Sequence, residues 1–191
     1  MIYVVTNRKL VAKGSLCDRL EKALQYGAKN IILREKDLKY HELYKLAHKV
    51  KVITERYNAR LIVNGSLRVA EEIDAYAYHT GFESFMRQEK INIKTGVSVH
   101  SLEEAIEAEK NGAAYLLCGN VYETACKPGV KGKGLNYIRK IVTKVTVPVI
   151  AIGGISEKNA RDVIKAGAKG LAIMSSAMDE PLIVEKIIKE I

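Results

Sequence analysis

The sequence predicts an α/β chain folded as a single (β/α)8 TIM barrel over residues 1–191. Three observations predict it. Short apolar runs rich in Ile and Val recur about eight times, helix patterns lie between most of them, and a Gly-Ala pair repeatedly separates a helix from the next run. The count favours a closed barrel over an open doubly wound sheet, and no Gly-x-Gly-x-x-Gly follows the first run.

In order, the predicted strands are "IYVVT", "IILRE", "RLIVN", "AYAYH", "NIKTGVSV", "YLLCG", "VPVIAIGG" and "GLAIMSS". Their near-continuous hydrophobicity suits strands buried on both faces. Between them, "LCDRLEKALQYGAKN" places Leu16, Leu20, Ala23 and Leu24 on one helix face and ends at Gly27. In the same way "SLEEAIEAEKNGAAY" places Leu102, Ala105, Ile106 and Glu109 at helical spacing before Gly112. Gly27, Gly112 and Gly167 each stand where a left-handed C-cap turns a helix into a strand. The helix over 82–91 reads as short or irregular. After the sixth strand, residues 119 to 134 form a loop long for so small a barrel, and such loops are commonly functional or disordered.

Hydrophobic residues make up 48% of the chain, ample for one core. Met1 leads into "IYVVT" without the basic, apolar, small-residue order of a leader, and no apolar run approaches the roughly 18 to 20 residues of a membrane span. A cytoplasmic protein with no membrane partner is expected. Cys17, Cys118 and Cys126 are odd in number and scattered, so reduced thiols are expected, Cys17 as a small core residue. The net charge of +9 favours anionic partners. Nucleic acid is not expected among them: two phenylalanines, no tryptophan and no basic block interleaved with aromatics leave no stacking platform. His41 and His48 are seven apart with no third ligand near, so no metal centre is expected there.

A barrel carries its site at the C-terminal ends of the strands. The residues that close the runs are Arg34, Glu35 and Lys36; Asn64 and Gly65; His79; Ser98 and His100; Gly119 and Asn120; Gly153 and Gly154; Ser175 and Ser176. Gly153 and Gly154 let backbone N–H groups approach a phosphate to which Ser175 adds a donor, or else they serve only a tight turn. Arg34 and Lys36 need a partner, either Glu35 or a bound anion. His79 and His100 are the groups best placed to move protons near neutral pH, with a hydrogen-bonded structural role as the alternative for each.

Taken together, "YVVTN", "ILREKDL", "LIVNG", "GVSVHSLEEAIEAEKNGAAYLL", "GNVYETACKPG" and "VPVIAIGGISEKNARDVIKAGAKGLAIMSS" resemble the thiamine phosphate synthase and TenI family over nearly the whole chain. In a synthase, a thiazole phosphate is joined to a pyrimidine carried on diphosphate, with magnesium bound. The resemblance maps diphosphate contacts to Arg34, Lys36, Asn64 and Lys127, and sets Ser98, Thr124 and Cys126 beside the substrates. Thiazole phosphate falls to Gly153, Gly154, Met174 and Ser175, and the 119–134 loop is expected to close over the substrate. Where synthases carry two magnesium-binding aspartates, this chain has Gly65 and, near the second position, Ser84, with Glu83 one residue away.

Those departures and "VYETACK" look closer to the TenI branch, a metal-free thiazole tautomerase. That branch uses a histidine where this chain has Asn120, and an amide exchanges no protons near neutral pH. A water on Asn120, or His79, His100 or Glu123, is then the candidate proton route. The resemblance implies a thiazole tautomerase that needs no cofactor. A magnesium-dependent synthase and a non-catalytic thiazole or thiamine phosphate-binding regulator are the alternatives, and a homodimer is expected.

Overall fold

The structure, a computed structural model, describes residues 1–88, 91–126 and 128–191. Strands and helices alternate along the chain: β1 (Ile2–Val5), α1 (Leu16–Gln25), β2 (Asn30–Leu33), α2 (Tyr40–Arg56), β3 (Arg60–Asn64), α3 (Leu67–Glu72), β4 (Ala77–Gly81) and α4 (Phe82–Arg87). There follow β5 (Thr95–Val99), α5 (Leu102–Lys110), β6 (Tyr115–Gly119), α6 (Gly134–Val142), β7 (Val149–Ile152), α7 (Ala160–Lys165), β8 (Gly170–Ile173), α8 (Ser175–Asp179) and α9 (Ile183–Ile188). The eight strands are parallel and close in sequence order, with β1 pairing to both β2 and β8. This is the predicted (β/α)8 barrel.

Strand alternation divides the apolar side chains into two cores. Ile2, Val4, Ile31, Leu33, Val97 and Leu116 face the helices, where they meet Leu20, Ala47, Ile138 and Val163. Tyr3, Val5, Ile32, Ile62, Ala77, Tyr115, Leu117, Ile150 and Ala172 fill the inside of the barrel. Both faces of each strand are therefore dry, which is why the strands read as unbroken apolar runs. Helix α1 buries Leu16, Leu20, Ala23 and Leu24, as its spacing predicts, and Ser15 caps it by accepting from the Asp18 N–H. On α5, Ala105 and Ala108 are buried. Glu109 instead accepts hydrogen bonds from the backbone N–H groups of Thr146 and Val147, tying α5 to the approach to β7.

The C-cap reading holds: Gly27, Gly112 and Gly167 have φ of 101°, 88° and 106°. Helix α4 is a short one of six residues. Among the described residues no helix is long and apolar enough to cross a membrane. The three cysteines are unpaired, with Cys118 buried and its thiol pushed up to about 12 chiefly by burial.

Candidate active site

At the C-terminal mouth of the barrel lies a cavity of about 620 Å³. Its floor is apolar, built from Val5, Ile32, Leu117, Ile152 and Ala172. Around that floor the strand ends bring together Arg34, Lys36, Asn64, His79, Ser98, His100, Asn120, Thr124, Cys126, Gly153, Gly154, Met174 and Ser175. Every one of these residues was singled out from the sequence. Glu123 was too, but its side chain is exposed and lies outside the lining, so it is removed as a proton carrier at this site. Lys127 lies outside the described residues.

The cations at the end of β2 are free for the cavity because Glu35 is held elsewhere. Its buried carboxylate accepts from the Thr6 hydroxyl at 2.7 Å and from Arg8 Nη1 at 3.0 Å, and the Arg8 backbone N–H adds another bond. Arg8 also pairs with Asp37, which holds that carboxyl well below its usual range. The sequence offered an Arg34–Glu35–Lys36 network as one alternative. The structure replaces it with Thr6–Arg8–Glu35–Asp37, a set joined from the ends of two strands. Among the described residues neither Arg34 nor Lys36 pairs with a carboxylate. An unpaired guanidinium half-withdrawn from water favours an anion.

On the opposite side Gly153 and Gly154 follow β7 with φ of 106° and 64°. The packing around both glycines matches the tight-turn role weighed from the sequence. A Cβ on Gly153 would lie 2.6 Å from the Asn120 Cβ, and one on Gly154 would lie 2.5 Å from the Glu123 carbonyl oxygen. Both positions must stay bare for the 120–133 loop to pack against the end of β7, and both still line the cavity. That loop is closed at its base. Val121 and Tyr122 donate to the carbonyls of Ile152 and Gly153, while Lys133 and Gly134 donate back to Asn120 and Val121. Thr124 and Cys126 are thereby set on the cavity wall.

Asn120 is buried at 3% exposure, and its amide donates to the Tyr122 carbonyl at 3.2 Å and more weakly to the Val130 carbonyl at 3.4 Å. It staples the loop. His79 is buried deeper, with Nδ1 2.9 Å from the Tyr115 hydroxyl and Nε2 2.8 Å from Ser98 Oγ. Burial, assisted by the charge of Arg34, lowers its pKa to about 3, so the ring is neutral at any physiological pH. Of the two roles the sequence left open for His79, these contacts match the hydrogen-bonded structural one. His100 is exposed, with Nδ1 3.2 Å from the Gly119 carbonyl and the backbone tied to Glu104 and Lys133. Tyr115 and Gly96, which stand behind the cavity wall, were not singled out from the sequence. Their signal was the pairing of "TGVSV" with "YLLCG", which needs the register between strands.

Among the described residues the cavity lining includes no Asp or Glu, and no group of three or more His, Cys, Asp and Glu could hold a metal. A Cβ at Gly65 would meet nothing within 4 Å, Ser84 is exposed on α4, and Glu83 pairs with Arg87 at 3.3 Å on the outer surface. Magnesium bound by the protein needs anionic oxygens, so these residues do not fit it.

Fold and mouth together define a (β/α)8 barrel with two cations, Arg34 and Lys36, at an apolar-floored cavity on its C-terminal face. The family model described as thiamine monophosphate synthase matches residues 2–177, and the chain belongs to that family. It is 36% identical to a thiamine-phosphate synthase of Clostridium acetobutylicum, over 97% of this chain and 90% of the relative. It is 38% identical to one of Pyrococcus furiosus, over 93% and 86%. The solved thiamine phosphate pyrophosphorylase of Pyrococcus furiosus superposes with a TM-score of 0.86 at 35% identity, covering 99% of this chain and 94% of that one. These relatives carry the transferase name, which was the second of the sequence's readings.

Proposed function

We propose that the chain is a transferase of the thiamine-phosphate synthase type, joining a thiazole phosphate to a pyrimidine carried on diphosphate. The observation that carries this reading is the fate of the acid–base groups. A tautomerase must move a proton, yet Asn120 is a stapling amide, Glu123 stands outside the cavity and His79 is held neutral with both ring nitrogens engaged. Of the candidates named from the sequence, His100, its Nδ1 3.2 Å from the Gly119 carbonyl, is the one titratable group left on the cavity wall. A transfer reaction asks for something else. The thiazole nitrogen forms a bond to the pyrimidine methylene carbon as that carbon's bond to the diphosphate oxygen breaks, and the electron pair leaves with pyrophosphate. No proton changes place.

What this step requires is two anionic ligands held across an apolar floor, with positive charge at the leaving group. Arg34, Lys36 and Asn64 on one side, and Gly153, Gly154 and Ser175 on the other, match that requirement. The Arg34 guanidinium and Lys36 ammonium stabilise the departing pyrophosphate. The names of the relatives support the same reading.

The test is pyrophosphate release from the two substrates, followed with and without added magnesium. Release by the native chain is expected, and Arg34→Ala should lower kcat/KM roughly 10- to 100-fold through loss of charge-assisted hydrogen bonds. Absence of release under both conditions, with aromatisation of a thiazole carboxylate phosphate visible in the ultraviolet, would restore the tautomerase.

A further inference from the structure

We infer that Tyr115 is a positioning residue that fixes the tautomer of His79, and so holds the Ser98 hydroxyl as a hydrogen-bond donor to whatever occupies the cavity. Tyr115 lies outside the cavity lining, whereas His79 and Ser98 belong to it. The inference concerns this cavity whichever reaction it runs.

The arrangement begins with register. His79 on β4 pairs with Gly96 on β5, and Gly96 pairs with Tyr115 on β6. Gly96 has no side chain, and a Cβ built there would lie 2.0 Å from the Tyr115 ring carbon Cζ. The phenol therefore crosses β5 through the space that glycine leaves and arrives at His79 Nδ1, the two rings stacked at 5.6 Å with 26° between their planes. On the far side of the imidazole, Nε2 meets Ser98 Oγ.

Two neutral tautomers are open to His79, and they differ in what they leave unpaired. With the proton on Nδ1, that N–H would point at the phenol oxygen and the phenol's own hydrogen would have no acceptor among the described residues. A buried hydroxyl left so loses its hydration with no return. With the proton on Nε2, the phenol donates to Nδ1, Nε2–H donates to Ser98 Oγ, and each polar hydrogen of the buried pair has an acceptor. The phenol keeps its proton, because burial raises its pKa well above the usual value.

In the second arrangement Ser98 accepts from the imidazole and keeps its own O–H for the cavity. This is the reverse of a serine activated as a nucleophile, which gives its proton to the histidine. Ser98 is thus a fixed donor and selects an acceptor atom on the ligand.

The deciding measurement is the 15N NMR spectrum of the full-length chain with labelled histidine. The His79 ring is assigned by nuclear Overhauser contacts to the ring protons of Tyr115, which stacks on it at 5.6 Å. Its Nδ1 is expected to be unprotonated and its Nε2 protonated, and Tyr115→Phe is expected to mix or invert that pattern. Protonated Nδ1 in the native chain would overturn the inference, and this arm needs no variant to fold.

A second arm uses inorganic pyrophosphate as the probe. Ser98→Ala and Tyr115→Phe should each weaken its binding roughly three- to tenfold, and the double variant should bind no worse than Ser98→Ala alone. Multiplying losses would show that Tyr115 does not act through Ser98. If the native chain fails to bind pyrophosphate, the transfer reaction loses its support while the nitrogen pattern still decides the tautomer.

Discussion

A methyl group at position 96 would sit 2.0 Å from the Tyr115 ring, so Gly96→Ala must either expel the phenol or part β5 from β6. The expected loss is about 1 to 3 kcal/mol, read from urea unfolding, as for other overpacked cores. His79 makes a second prediction through its protons. Its pKa in the fold is depressed to about 3, against 6.5 for the free side chain. Below about pH 6.5 the unfolded chain takes up a proton that the native ring refuses, so stability falls as the pH falls toward 3. Most of this window lies above the usual carboxylate range. The urea midpoint should therefore drop between about pH 6.5 and 5, and His79→Gln should flatten that slope. The sequence pointed to both His79 and Ser98 from their strand-end positions, yet it left the histidine open between moving protons and a hydrogen-bonded structural role. Burial and hydrogen-bond partners decide between those roles, and one of the partners is the phenol of Tyr115, 36 positions away in the chain.

Elements were the most legible level, because their signals are local. Unbroken apolar runs, the spacing of Leu16, Leu20, Ala23 and Leu24, and glycines past helix ends all act over a few residues. What joins one element to the next was not legible. Glu35 follows Arg34 in sequence but is bonded by Arg8, 27 residues earlier, across the β1 and β2 ends. Arg8→Ala would leave that carboxylate, 2% exposed, without its cation. A cost of roughly 2 to 3 kcal/mol is expected, read from urea unfolding at neutral pH. The β6–α6 loop gives a parallel case. Gly154 reads locally as a phosphate contact or a tight turn, but its bareness serves the Glu123 carbonyl packed against it. Gly154→Ala should loosen the loop and speed proteolytic cleavage within 120–133, with little change in the far-ultraviolet spectrum.

Across the whole molecule, the site exists only because the ring is complete. Arg34 and Lys36 come from the first quarter of the chain and Ser175 from its last tenth, yet they line one cavity. The apolar floor is shared in the same way, Val5 from β1 standing with Ala172 from β8. No contiguous fragment short of β8 carries the cavity entire. The pairing of β1 with β8, with Ile2 opposite Leu171 and Val4 opposite Ile173, has a consequence in time. On the ribosome, one edge of the first strand waits with its backbone groups unpaired until the last strand emerges, a delay of about 10 to 30 seconds at ordinary elongation rates. For that interval the nascent chain is an open, sticky ribbon, and the arrival of β8 is both what hides it and what first makes a ligand welcome.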